Sequence, residues 1–460
     1  MRPVLLVDFG STYTKVTAVD LDEGVLLGTA SSFTTVETDI NEGLSNAISI
    51  LEKTTGIKDY PETYACSSAA GGLKMISIGL VPELTVQAAK EASLGAGAKI
   101  MKTYSYQLTK RDVREIDSLC PDIILLTGGT DGGNSECILH NARRLAEMER
   151  DIPIVVAGNR CCADDCEEIL ENRQVYVCEN VMPTLGKLNI IPAQKAIRDI
   201  FLKKIVQGKG LTKAMELMSD IIMPTPSAIL EAMKLLAEGC ESGSGIGELM
   251  GVDLGGATTD VYSIAAGTPS NMKTVYKGLE EPYAKRTVEG DLGMRYSMHG
   301  VVEAAGIKKI AGMADLDVKK TEELLDYLDK HKDTIPGNQE FIRLDEALAS
   351  AAVETAAIRH AGTVELVYTP MGETYVQSGK DLRSVQNVVV TGGALIHSAN
   401  VEKIAEFSKW DDSNPSSLRP EKAKIWVDKK YILAAMGLLS RKYPGTALEI
   451  MRREIICYGD

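Results

Sequence analysis

The apolar positions of the chain fall in short runs, and their spacing switches repeatedly between a strand-like and a helix-like period. Pro3 to Phe9 is a near-continuous apolar run ending at Gly10, and Thr14 to Asp20 and Gly24 to Phe33 read as two more strands of a hairpin meander. Apolar residues at Leu44, Ala47, Ile48 and Leu51 predict a helix over Asn41 to Leu51. A strand Thr63 to Cys66, a loop Ala69 to Gly72, a helix Glu83 to Leu94 and a strand Lys99 to Tyr104 follow. Together they predict a five-stranded βββαβαβ lobe over residues 1–110.

From Pro121 onward, strands Asp122–Leu126, Ile152–Ala157 and Val175–Cys178 alternate with helices over Ser135–Met148 and Asp164–Leu170. Helices between strands imply crossovers and parallel pairing, so residues 111–190 are predicted to form an inserted Rossmann-like α/β domain. Its turn, Thr127 to Gly133, is rich in glycine but lacks the GxGxxG spacing and reads as a structural turn. Residues 191–245 read as a helical connector, interrupted around Met223 to Pro226 and ending in a flexible linker, Glu241 to Gly247.

The second half then repeats the first. Val252 to Val261 can be laid over Val7 to Val16, with Val, Asp, Gly, Thr and Val recurring at five of the ten positions. After it come strands Val261–Ile264 and Lys273–Leu279, the turn Gly290 to Gly293, a helix Asp345–His360, a strand Asn387–Val390 before Thr391-Gly392-Gly393, a strand Lys424–Val427 and a helix Tyr431–Ser440. A supersecondary unit recurring after about 245 residues predicts two duplicated lobes facing each other, the second over residues 246–460.

Composition narrows the function. With 50 Lys+Arg against 64 Asp+Glu in 460 residues the net charge is −14, which argues against nucleic-acid binding, since phosphate neutralisation needs clustered cations. The longest apolar runs are too short to span a bilayer, and no signal peptide is read at the start, so a cytoplasmic protein is expected. The 9 cysteines are scattered and read as free thiols; Cys161, Cys162 and Cys166 lack the further ligands a zinc site needs. The 5 histidines (His140, His299, His331, His360, His397) lie far apart and read as satisfied or exposed side chains.

The chemistry lies in the repeated motif. An Asp ending a buried strand, followed by glycine and hydroxyl residues in a tight hairpin, lets backbone N–H groups approach phosphate oxygens while the carboxylate holds a hydrated Mg²⁺. The first copy offers Asp8, Gly10, Ser11 and Thr12, with Lys15 either returning to the same phosphates or standing as a solvated lysine. The second offers Asp253, Gly255, Gly256, Thr258 and Thr259. Gly392 and Gly393 admit a nucleoside or make a plain helix-entry turn.

Taken as a set, Val7 to Lys15, Gly251 to Asp260 and Val388 to Ser398 resemble the phosphate-1, phosphate-2 and adenosine motifs of the acetate and sugar kinase, Hsp70 and actin superfamily, and Asp428 to Gly437 is similar to its closing helix. Across nearly the whole chain, including Ser67 to Met75 and Leu126 to Gly133, the sequence resembles the MutL/GlmL family, accessory proteins of coenzyme B12-dependent glutamate mutase. The resemblance implies an α/β fold of two duplicated ribonuclease H-like lobes with the inserted Rossmann-like domain and helical connector. It also implies an ATP- and Mg²⁺-dependent ATPase that reactivates or assembles a B12-dependent mutase, with a homodimer left open. Asp8, Asp253 and Asp260 are the candidate catalytic acids; Asp253 or Asp260 would orient the hydrolytic water. Ala257 stands where many relatives carry a third glycine. The same cleft suits a small-molecule kinase, the activator of a radical acyl-CoA dehydratase, whose iron-sulfur ligands would have to come from Cys161, Cys162 and Cys166, or an actin-like filament protein.

Overall fold

The computed structural model describes residues 1–10, 13–33, 40–68, 73–208, 222–269, 274–370 and 372–459. The chain is mixed α/β and divides into two compact units, one of residues 1–229 with 278–280, the other of residues 230–277 with 281–460. Among the described residues no helix is long and apolar enough to cross a membrane.

The first unit holds two sheets. In one, Pro3–Phe9 pairs antiparallel with Tyr13–Asp20, which pairs with Val25–Phe33; on its other edge Pro3–Phe9 runs parallel to Glu62–Ser67, and that strand runs parallel to Ile222–Pro224. The helix Ile40–Thr55 lays Leu44, Ala47 and Leu51 on the apolar core shared with Leu5, Val7 and Val16. The other sheet is all-parallel, in the spatial order Ala98–Ser105, Leu73–Gly79, Ile123–Leu126, Ile154–Val156, Val175–Val177. Its central strands are buried at every residue except Lys74, as strands covered by helices on both faces require.

This pairing corrects the expected layout of residues 1–110. The strand read as Lys99–Tyr104 joins the parallel sheet, and so does Leu73–Gly79, for which the sequence carried no separate expectation. The parallel sheet therefore begins at residue 73 rather than after 111. The fifth strand of the first sheet is Ile222–Pro224, delivered after the whole parallel sheet has been threaded.

In the second unit Leu249–Leu254 pairs antiparallel with Thr259–Ile264, which pairs with Ala284–Glu289; its other edge runs parallel to Asn387–Thr391 and then Lys424–Val427, with Ile456–Tyr458 antiparallel at the end. The first five strands repeat the order and directions of the first sheet. The long helix Gln339–His360 is buried on more than one side, with Leu344, Ala347, Leu348, Ala351 and Val353 all in the core beside this sheet. The stretch expected to be a flexible linker is instead a tight ribbon, Gly239–Cys240 against Gly243–Ser244. Ile246 and Gly247 donate N–H to the carbonyls of Leu236 and Ala237 (2.8 and 3.1 Å), so glycine at 245 serves close backbone approach. A third small sheet, of Thr274–Lys277, Gly372–Ser378 and Thr363–Thr369, was not anticipated beyond its first strand.

His360 ends the long helix fully buried, its Nδ1 2.8 Å from Thr287 Oγ1 and its Nε2 2.9 Å from Ser263 Oγ. Burial, aided by the ammonium groups of Lys285 and Lys380, holds the imidazole well below its ordinary value. The folded state thus keeps His360 neutral, whereas the unfolded chain protonates it near its ordinary 6.5. Its contribution is complete above that value and is lost as the pH falls below it. The thermal midpoint is expected to drop between about pH 8 and about pH 5, and His360→Gln to flatten that dependence. Leu348→Ala, which empties a fully buried site, should lower the unfolding free energy by about 2–5 kcal/mol, read by denaturant titration.

Candidate functional site

The first hairpin places Asp8 next to last in its strand, opposite Lys15 across the antiparallel edge and beside Cys66 across the parallel one. A carboxylate enclosed on both edges needs donors from the protein. Thr225 Oγ1 donates to Asp8 Oδ1 at 2.6 Å, the Cys66 thiol donates to the same oxygen at 3.4 Å, and Lys15 Nζ stands 3.7 Å from Oδ2. Burial, with the Asp8 carboxylate adding to it, pushes the Cys66 thiol far above its usual range, so it acts as an S–H donor. Lys15 is therefore neither purely solvated nor committed to a ligand; it reaches the same carboxylate that the motif is built around.

Gly10 closes the turn by donating its N–H to the Tyr13 carbonyl at 3.0 Å. A Cβ at Gly10 would meet that carbonyl oxygen at 2.5 Å, so no other residue fits without moving the turn. Ser11 and Thr12 lie outside the described residues.

The second hairpin repeats this geometry. Asp253 occupies the equivalent strand position, Gly255 donates its N–H to the Thr258 carbonyl at 2.9 Å, and a Cβ at Gly255 would lie 3.0 Å from that oxygen. Gly256 faces open space apart from the Tyr296 ring at 3.9 Å. Its carbonyl accepts from the N–H groups of Arg295 and Tyr296 (2.8 and 2.9 Å), which pins the turn from outside. Thr258 is half-buried at the turn, but the buried Thr259 donates its hydroxyl to the Leu292 carbonyl at 2.8 Å. That donor is engaged by the fold, unlike the phosphate role expected for it.

Asp260 holds the register position that Lys15 holds in the first hairpin, opposite the strand aspartate. Arg286, from the neighbouring strand and 4% exposed, grips its Oδ1 with Nε at 2.7 Å and a terminal nitrogen at 2.5 Å. Burial pulls the Arg286 guanidinium down, but the Asp260 charge outweighs it and leaves the group above its ordinary value. Asp260 is thus part of a buried ion pair, while Asp253 is the acid aligned with the turn.

Thr391 lies beside Asp253 in the parallel register, and Gly392 and Gly393 follow it. Gly392 has φ +106°, and its missing Cβ leaves room for the backbone of Leu254; Gly393 opens onto empty space at the start of the short helix Gly393–Ile396. Asp428 accepts from Thr391 Oγ1 at 3.3 Å and from the N–H groups of Ile432 and Leu433 at 3.0 Å, which ties the glycine turn to the entry of the helix Leu433–Ser440.

Sequence reasoning missed Thr225, Cys66 and Arg286 as partners of these acids. Thr225 had one local signal: Thr followed by Pro226 is a helix-start pair, and the helix Thr225–Glu238 does begin there. Among the described residues no cluster of His, Cys, Asp and Glu is arranged to hold a metal through several side chains. The carboxylates of Asp8 and Asp253, each beside a tight turn, are hard oxygen donors of the kind that a hydrated Mg²⁺ takes through water.

The sequence model described as MutL protein matches residues 4–455. Protein MutL of Clostridium tetanomorphum is 48% identical over 460 residues, covering 99% of this chain and 100% of that protein. Among solved structures, similarity is found to the activator of 2-hydroxyisocaproyl-CoA dehydratase from Clostridium difficile with bound ADPNP, at 9% identity and TM-score 0.35 over 100% of both chains. A glycerol dehydratase reactivase is similar at 10% identity and TM-score 0.36, over 95% of this chain and 99% of that one. The xylulose kinase of Bifidobacterium adolescentis is similar at 12% identity and TM-score 0.32, over 99% and 96%. Matched by the family's sequence model over almost its full length and nearly half identical to one of its members, the chain belongs to the MutL protein family.

Proposed function

We propose that this protein is an ATP-binding, ATP-hydrolysing accessory factor that reactivates or assembles a coenzyme B12-dependent mutase of the glutamate mutase type. The observation that carries the reading is the pair of hairpins: in each an aspartate near the strand end is followed two residues later by a glycine whose N–H closes on the carbonyl three residues on. Such turns leave backbone N–H groups free of side-chain cover, where phosphate oxygens can approach. The two mixed sheets are read as duplicated ribonuclease H-like lobes of the actin and Hsp70 type, the parallel sheet as an inserted domain, and residues 191–245 as their connector.

In this reading Gly10, Ser11, Thr12 and Lys15 are phosphate-binding residues, as are Gly255, Gly256 and Thr258, and Gly392 and Gly393 bind the nucleoside. Asp8 and Asp253 would hold Mg²⁺, which when bound would offset the phosphate charge. Asp253 orients the water that attacks the γ-phosphorus as ADP leaves, and Asp260, gripped by Arg286, holds the strand that carries it in place. Thr225 fixes the Asp8 carboxylate. The partner mutase responds to the nucleotide state, and the protein acts in the cytoplasm.

Asp8→Ala and Asp253→Ala should each abolish ATP hydrolysis, measured as phosphate release from the isolated protein; hydrolysis at the wild-type rate in both would overturn the site. Thr225→Val should slow turnover about tenfold or more while Thr225→Ser largely restores it, because serine keeps the hydroxyl that donates to Asp8 and valine lacks it. Co-purification with B12-dependent mutases in one nucleotide state alone would support the partner; equal retention with and without ATP would count against a switch.

A further inference from the structure

The small sheet of the second unit ends in the strand Thr363–Thr369, whose neighbour on one side is Gly372–Ser378. Among the described residues its other side is an edge. At the start of that edge Val364 donates its N–H to the Ser416 carbonyl, and the Gly362 carbonyl accepts from Leu418, both at 2.9 Å. In an antiparallel strand alternate residues turn their backbone groups the same way. The even-numbered residues therefore face outward, which leaves Leu366 and Tyr368 presenting N–H and C=O to the edge, with no hydrogen-bond partner for these groups among the described residues. Beyond them Pro370 has no N–H to offer.

The side chains on this edge are also exposed: Leu366 at 42%, Val367 at 38% and Tyr368 at 74%. Edge strands are ordinarily guarded by charge, proline or a bulge. Here the three consecutive residues carry none of these, and the strand's single charge is Glu365.

We propose that this edge pairs with the same edge of a second copy of the chain, antiparallel about a two-fold axis through Val367. The register follows from the backbone. Pairing Leu366 with Tyr368 of the second copy, and the reverse, uses both outward-facing residues of each copy and makes four hydrogen bonds. A shift centred on Leu366 would need Val364, whose N–H already bonds Ser416, and a shift centred on Tyr368 would need Pro370 as a donor. In the chosen register Leu366 packs beside the Tyr368 ring of the second copy, Val367 meets Val367 on the opposite face, and Glu365 faces a Thr369 hydroxyl rather than its own like charge. The two three-stranded sheets become one of six strands. This pairing stands independently of nucleotide binding.

Sedimentation of the full chain without nucleotide, over a range of concentrations, tests it. A monomer–dimer equilibrium is expected, weakened at least about tenfold by Val367→Lys, which sets two ammonium groups across the axis. That variant should keep the wild-type circular dichroism and, at a concentration where both chains are monomeric, the wild-type thermal midpoint, because the position is exposed. Val367 and its symmetry mate form a non-hydrogen-bonded pair with Cα atoms about 4.5 Å apart, inside the range a disulfide spans. Val367→Cys should therefore cross-link on mild oxidation, seen by mass spectrometry as a peptide joined to itself at that position, whereas Tyr368→Cys should not. A chain monomeric at every concentration, a dimer unmoved by Val367→Lys, or cross-linking at 368 equal to that at 367 would each overturn the proposal.

Discussion

A carboxylate inside a sheet is the constraint around which the first unit is organised. Asp8 has neighbouring strands on both edges, and a charge so enclosed is tolerated only where donors converge on it. Its partners come from three places in the sequence: the Lys15 ammonium from the hairpin, the Cys66 thiol from the parallel neighbour, and the Thr225 hydroxyl from the helix that follows the fifth strand. Remove the order of the strands and the acid has no setting, so the topology and the chemistry are one requirement.

The second unit meets the same requirement differently. Its hairpin keeps the aspartate and the closing glycine but exchanges the cross-strand lysine for Asp260, which brings two acids opposite one another. Like charges at that distance are unfavourable unless one is matched, and the buried guanidinium of Arg286 matches it. The repeated scaffold thus carries two unlike electrostatic environments, one with a cation beside the strand acid and one with a neutralised second acid.

Much of this was legible in the sequence where the signal is local. Asp-x-Gly at a strand end announced both turns, because the spacing from carboxylate to glycine is fixed by the hairpin itself. What was not legible is set by partners far along the chain: Thr225 lies 217 residues from Asp8, and no periodicity reports such a bond. Leu73–Gly79 escaped because it comes only a few residues after another strand, and only pairing decides which sheet it joins. Residues 239–247 misled through composition, since glycine and serine suggest flexibility whether they free the chain or, as at Gly245, allow a close approach. Thr259 looked like a second hydroxyl for a ligand, but strand alternation turns it inward to Leu292.

The late arrival of Ile222–Pro224 has a consequence for synthesis. As the chain emerges from the ribosome, the meander and Glu62–Ser67 are complete long before their last neighbour exists, whereas every strand of the parallel sheet is available by residue 177. The interposed sheet can therefore finish folding while the first still has an open edge, and its closure depends on contacts of long sequence separation, which form slowly. Thr225 is the very next residue after that strand. The carboxylate at Asp8 acquires its tightest partner only when the sheet is sealed, so the newborn chain carries an unfinished acid until about half of it has been made.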